Sequence, residues 1–173
     1  VALCRAVERA CGVRPGIKWP NDLVMQGRKL CGVLTELELE AETGLPRYVI
    51  VGIGTNVLQT EADFGPEVAP IAISLEQALG QAPARTALAK EILRAMDDLY
   101  RDFPQEKAQY LEQYRRDCLT LGRPVTVLRP SGARNGFATG INEDFSLTVR
   151  WEDGTEEALS AGEVSVRGLY GYV

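Results

Sequence analysis

No histidine occurs in the 173 residues. Ser-His-Asp chemistry, Cys-His pairs and histidine metal sites are thereby excluded from this chain. The four cysteines, Cys4, Cys11, Cys31 and Cys118, include no Cys-x-x-Cys pair, so a zinc site is not expected either. Scattered thiols of this kind read as small core residues of a reduced, cytoplasmic protein. No apolar run comes near the ~20 residues that span a bilayer, and no membrane partner is expected. Lys and Arg number 19 against 24 Asp and Glu, a net charge of −5. No stretch gathers the cations, so nucleic acid is not an expected partner of this segment. There is no internal repeat and no low-complexity tract. What remains is an ordinary globular composition, 45% hydrophobic and 25% charged, long enough for a core and two small domains.

The informative stretch lies at residues 17–36. Ile17-Lys18-Trp19-Pro20-Asn21-Asp22-Leu23 is followed by a short spacer and then by Lys29-Leu30-Cys31-Gly32-Val33-Leu34-Thr35-Glu36. A brief apolar run stops at Pro20, which fixes φ and has no N–H to donate. Asn21 and Asp22 put an amide and a carboxylate side by side on the turn. Asn-Asp after proline is also ordinary turn chemistry, since both side chains can bond nearby backbone. Lys29 heads the next run, and Gly32 permits close backbone approach. Read alone, Lys29 is a solvated strand-end lysine. Read together, an amide, a carboxylate, an ammonium and a bare backbone suit a nucleotide and its metal.

The two motifs, in this order, resemble the Lys-Trp-Pro-Asn-Asp-Leu and Lys-x-x-Gly-x-Leu-x-Glu motifs of the biotin protein ligases. Gly52-Ile53-Gly54-Thr55-Asn56 resembles that family's Gly-x-Gly-x-Asn segment, with Thr55 at a usually apolar position, and Ser74-Leu75 resembles its Ser-Leu. The resemblance implies formation of biotinyl-5'-AMP from biotin and ATP with Mg²⁺, then transfer of biotin to a lysine of a biotin carboxyl carrier domain. It implies that Lys29 bridges the biotin carboxylate and the α-phosphate as the catalytic cation. Biotin is expected against Lys29, Gly32, Leu34 and Gly52, although Leu34 serves equally as plain core. ATP is expected against Asn21, Asp22, Asn56 and Arg167, and Mg²⁺ on Asp22. Trp19 stacks on adenine or packs in the core. A lipoate or octanoate transferase, and a non-catalytic module, are the alternatives. The family's glycine- and arginine-rich loop is expected upstream of these motifs and nothing in the chain matches it, so the chain reads as a C-terminal portion. A homodimer is left open.

The fold expected is α+β, a mixed or antiparallel sheet with helices over residues 1–121, then a small barrel over residues 122–173, which the resemblance implies is SH3-like. Helical spacing covers residues 1–11 and 86–103, with Leu88, Ile92, Met96, Leu99 and Phe103 on one stripe. Pro104 suits the first turn of a further helix carrying Tyr110, Leu111, Tyr114 and Cys118. Residues 29–40 alternate as a half-buried strand, and Tyr48–Ile53 returns antiparallel to it and reads as the more deeply buried of the two. Residues 58–73 read as an irregular loop, and Ser74–Gln77 as a capping box. Five short β runs after Gly122, punctuated at Asn142–Asp144 and Asp153-Gly154, suggest the barrel.

Overall fold

A computed structural model describes residues 1–103, 105–160 and 163–166; Pro104 and Arg167 lie outside them. The chain begins with α1 (Ala2–Cys11), ended at Gly12 by a left-handed residue whose N–H bonds the carbonyl of Glu8. Four strands then build one antiparallel sheet: β1 (Gly16–Lys18), β2 (Asp22–Met25), β3 (Arg28–Leu39) and β4 (Pro46–Thr55), neighbours in chain order. Short helices α2 (Glu61–Phe64) and α3 (Leu75–Leu79) follow, then the long helices α4 (Arg85–Asp102) and α5 (Lys107–Asp117). The remainder is all β: β5 (Pro124–Arg129), β6 (Gly132–Ile141), β7 (Leu147–Trp151), β8 (Glu156–Leu159) and β9 (Glu163–Val166). These pair antiparallel in the order β8-β7-β6-β5-β9. The α+β class and the five strands of the C-terminal sheet follow the sequence pattern. No ladder closes β8 onto β9 among the described residues.

Two expectations are corrected and one open alternative is decided. β4 is not the buried strand of its pair: Val49 and Ile50 are each 52% exposed. An uninterrupted apolar run resembles a two-sided core strand, but here no other described element lies along most of it. The stretch 58–73 is not wholly irregular. Thr60 and Asp63 form a reciprocal capping box that nucleates α2. Trp19 does not offer its face to a ligand; it is 1% exposed and packed in the core.

That core is continuous through both sheets. Leu3, Cys4 and Val7 of α1, Ile17, Leu23, Leu30 and Cys31 of the first sheet, Tyr114 and Cys118 at α5, and Val125, Ala138, Leu147, Val149 and Val164 of the second sheet belong to one buried cluster. Cys11 is only partly buried. Burial pushes the thiols of Cys4, Cys31 and Cys118 above their ordinary pKa, as expected of inert core cysteines. α1 and α4 pack through small residues, Ala2, Ala6 and Ala95, with Ile92, Met96 and Leu99 at the margin.

Candidate functional site

The sheet has two unlike faces. Cross-strand partners share a face, so Lys18, Asp22, Gly32 and Gly54, paired in succession from β1 to β4, form one row. Leu34 and Gly52 form the next row on that face. The opposite face carries Ile17, Leu23, Val33, Thr35, Val51 and Ile53, which line an apolar cavity of about 360 Å³ with Met96, Leu99 and Tyr114. The first face carries an open groove of about 500 Å³ lined by Asn21, Asp22, Lys29, Gly32, Leu34, Gly52 and Gly54, among others.

Strict alternation along β3 would put Lys29 with Cys31 and Val33, away from Gly32. A β-bulge prevents this. Asp22 opposes Gly32 and Leu23 opposes Cys31, but Val24 opposes Lys29, leaving Leu30 as the extra residue. The bulge brings Lys29 to the Asp22 face, the re-aiming that bulges perform beside functional sites. Lys29 Nζ then lies 2.7 Å from Asp22 Oδ1, with Asp22 nearly buried and Lys29 half-exposed. Gly32 eases the pairing: with a Cβ there, the flexible tip of Lys29 would have to give by a few tenths of an ångström. A Cβ there would stand 3.3 Å from Lys29 Nζ and 3.4 Å from Asp22 Oδ1.

The backbone of Lys29 is held from both sides. Its N–H donates to the carbonyl of Ile71 at 2.8 Å, and its carbonyl accepts from the N–H of Ile73 at 2.9 Å. The Asn56 amide donates to the carbonyls of Lys29 and Ile73, both at 3.3 Å. Asn56 therefore spends its two N–H groups on backbone. Any contact it makes with a nucleotide falls to its acceptor oxygen. Asn21 likewise bonds protein first: its amide donates to the Val33 carbonyl at 2.6 Å, while its own carbonyl accepts from the Val33 N–H at 3.0 Å. Asn21 thus sits on the turn, bonded to β3, and borders the groove.

Gly52 and Gly54 differ from Gly32. A Cβ would find only ordinary contacts, no nearer than 3.5 Å at Gly52 and 3.8 Å at Gly54. Packing does not require glycine there. What glycine supplies is a groove floor of bare strand backbone. Leu34, expected in the core or the pocket, is 65% exposed and borders the groove. The structure thus gathers Asn21, Asp22, Lys29, Gly32, Leu34 and Gly52 around one groove and puts Asn56 behind Lys29. Arg167 lies outside the described residues. The bulge and the paired backbone of Lys29 carry no residue-type signature and were not legible.

The fold has close counterparts. An Aquifex aeolicus structure titled as biotin protein ligase in complex with biotin and ATP superposes with a TM-score of 0.79 over 96% of this chain and 67% of that chain, at 26% identity. Residues 2–56 match the Biotin/lipoate A/B protein ligase family, and residues 120–167 the Biotin protein ligase C terminal domain. The biotin--[acetyl-CoA-carboxylase] ligase of Paracoccus denitrificans is 30% identical over 97% of this chain and 70% of its own length. The chain belongs to the biotin protein ligase family. The match to the biotin-specific C-terminal domain disfavours a lipoate or octanoate transferase. The bifunctional ligase/repressor BirA of Bacillus subtilis is 34% identical over 93% of this chain and 49% of its own length. The chain thus spans about half the length of that biotin protein ligase relative.

Proposed function

We propose that the groove is the adenylate side of a biotin protein ligase site. In this reading the protein that carries the chain joins biotin to ATP, releases pyrophosphate, and passes biotin to a lysine of a carboxyl carrier domain. The observation that carries the reading is the Lys29–Asp22 pair at the end of a glycine-floored groove, in a chain of this family.

The chemistry explains the residues. Two anions, a carboxylate and an α-phosphate, must approach, and charge builds on phosphate oxygens as they react. A compact ammonium fixed on a rigid strand lowers that barrier without having to reorganise. Lys29 meets the requirement, because its backbone is tied at N–H and carbonyl alike. Asp22 holds the ammonium over Gly32 until the anions arrive. Gly52 lets biotin lie on the strand, and Asn21 and the Asn56 oxygen face the nucleotide.

The fit of Mg²⁺ rests on Asp22 alone. Among the described residues no group of three His, Cys, Asp or Glu could hold a metal. One Asp22 oxygen is already engaged by Lys29. These donors suit an ion that arrives on ATP, not one the protein binds by itself. Such an ion would neutralise phosphate charge beside Asp22.

The division at residue 121, the ATP contact of Arg167 and the carrier-domain partner belong to the same proposal. No described helix is long and apolar enough to cross a membrane. The test is biotin-dependent pyrophosphate release with ATP and Mg²⁺, followed by the mass of an added carrier domain. Pyrophosphate without carrier modification would restrict the reading to adenylation. Binding of neither biotin nor ATP by calorimetry would overturn it.

A further inference from the structure

The turn that presents Asn21 and Asp22 is held by residues far from it in sequence. The Trp19 N–H donates to Thr120 Oγ at 3.0 Å, and its indole N–H to the carbonyl of Phe145 at 3.0 Å. The Tyr114 hydroxyl donates to the carbonyl of Pro20 at 3.0 Å. The Tyr114 and Phe145 rings meet edge to face, 5.6 Å apart at 88°. Two residues before Trp19, the carbonyl of Ile17 accepts from the Leu119 N–H at 2.7 Å. Trp19, Pro20, Tyr114 and Phe145 thus form a closed ring of contacts. It ties the motif to α5, to the chain leading into the second sheet, and to the β6–β7 turn.

The β6–β7 turn is built to hold its shape. Phe145 has φ 65°, uncommon for a bulky residue. The surrounding bonds over-determine it. The Asn142 N–H donates to the Ser146 carbonyl, and the Phe145 N–H to the Asn142 carbonyl. Asp144 Oδ1 accepts from both the N–H and the hydroxyl of Ser146, and Thr148 Oγ donates to the Asn142 side chain. A sparsely populated backbone conformation held by its surroundings is strain that local bonding maintains. Here it aims a carbonyl at the Trp19 indole.

We infer that Tyr114 and Phe145 are positioning residues for the Asn21–Asp22 turn, so that the second sheet sets the geometry of the nucleotide side of the groove. Two sets of bonds meet between Pro20 and Asn21. Ile17, Trp19 and Pro20 are bonded to residues 114–145, Asn21 onward is held from β3, and the pairing of Lys18 with Asp22 is the ladder contact that links the two. The backbone of Lys29 does not depend on the first set, because Ile71, Ile73 and Asn56 fix it separately; only its ammonium reaches the turn, through Asp22. Loosening the ring therefore disturbs Asn21 and Asp22 more than Lys29 and the glycine floor. The kinetic part of this inference rests on the ligase reading; the positional part does not.

The test uses the gene product that carries this chain, with Tyr114→Phe, which removes one oxygen and keeps the ring, and Phe145→Gly, which suits the positive φ and keeps the carbonyl. The Val33 amide, bonded to the Asn21 carbonyl, reports the order of the turn by hydrogen exchange. The expected result is exchange at Trp19 and Val33 at least tenfold faster, with Val149 in β7 unchanged. KM for ATP should rise several-fold in Tyr114→Phe while KM for biotin stays within twofold. Unchanged Val33 exchange in both variants overturns the inference. So does a parallel rise of both KM values, which marks general loosening. A parent protein that releases no pyrophosphate would count against the ligase reading, and exchange alone would then decide the positioning role.

Discussion

Strand β3 has two halves of opposite fate. Over Arg28–Gly32 it pairs with β2 on one side, while on the other Lys29 is bonded to Ile71 and Ile73, Leu30 to Asn56, and Cys31 and Gly32 to β4; Leu30 and Cys31 are sealed at 0% and 1% exposure. Over Leu34–Leu39 its only strand neighbour among the described residues is β4, and every residue is exposed. The half that alternates apolar and polar, Thr35–Leu39, is the exposed one, and the sealed half carries Leu30 and Cys31 side by side at the bulge. Burial is therefore decided not by the strand's own pattern but by what is laid beside it. Asn21, Asp22 and Lys29 all cluster at the sealed half, where backbone is tied on several sides and side chains can be held to one geometry.

The sharpest way to break this comparison is to remove the largest fully buried side chain of the core to which Leu30 and Cys31 belong. Trp19→Ala deletes a fully buried indole and its bond to Phe145. We expect a loss of about 3–5 kcal/mol of stability, the range for a buried Trp or Phe, read by urea unfolding. A cost below about 1 kcal/mol would show that the junction between the sheets is not the rigid part of the molecule.

Next comes the chemistry that rigidity serves. Lys29→Ala should slow biotin-dependent pyrophosphate release by about 10²–10³, the cost of one lost charge-stabilising donor, with little change in Tm. Asp22→Asn should weaken the response to Mg²⁺ more than the affinity for biotin, and should also free the Lys29 ammonium from its partner. A parent-like rate in Lys29→Ala would remove the lysine from the reaction.

These predictions differ in how far sequence foresaw them. The residues around the groove were legible because a dense motif, Trp-Pro-Asn-Asp followed by Lys-x-x-Gly, resembles a known family. The helices were legible from spacing, and the Thr60–Asp63 box was present as a pattern but passed over. Lys29's face was not legible. It depends on a bulge at Leu30, and leucine is as common in regular strands as in bulges. Nor was the exposure of β4, because Tyr-Val-Ile-Val-Gly-Ile reads alike whether something covers it or not. Phe145 was missed for a related reason: Asp144-Phe145-Ser146 announces a turn without announcing that a phenylalanine takes the left-handed position.

A smaller effect probes how the sealed region is tied to the helices. Arg14 links Asp117 at the end of α5 to Glu8 of α1. Burial alone would push the Asp117 carboxyl up. Hydrogen bonds from Arg14, then from Arg116, more than reverse this and hold it below the usual carboxylate range. A depressed folded-state pKa contributes stability above the unfolded value near 3.9, lost as pH falls through the folded value. Asp117→Asn should cost about 1.5–3 kcal/mol at neutral pH. Its difference from the parent should stay constant above about pH 5 and shrink below about pH 4. A difference that persists undiminished at pH 2–3 would assign the cost to packing instead of charge.

The smallest expected effect lies in the other half of the comparison. Leu37, Val49 and Ile50 are large, apolar and about half exposed, on a ribbon whose strands touch mainly each other. Side chains already in water lose little on becoming polar. Val49→Thr, which keeps the β-branch that suits a strand, and Leu37→Thr should each change stability by no more than about 0.5 kcal/mol, the usual range for surface substitutions. Neither should alter the hydrogen exchange of Trp19 or Val33. Urea unfolding at two protein concentrations tenfold apart is the measurement. Concentration-independent midpoints within that range would confirm that the ribbon stands apart from the sealed half. A loss of 2 kcal/mol or more, near that of a core leucine, or a midpoint that rises with concentration, would mean that the ribbon is covered in solution. The two halves of β3 would then differ in what covers them, not in whether they are covered.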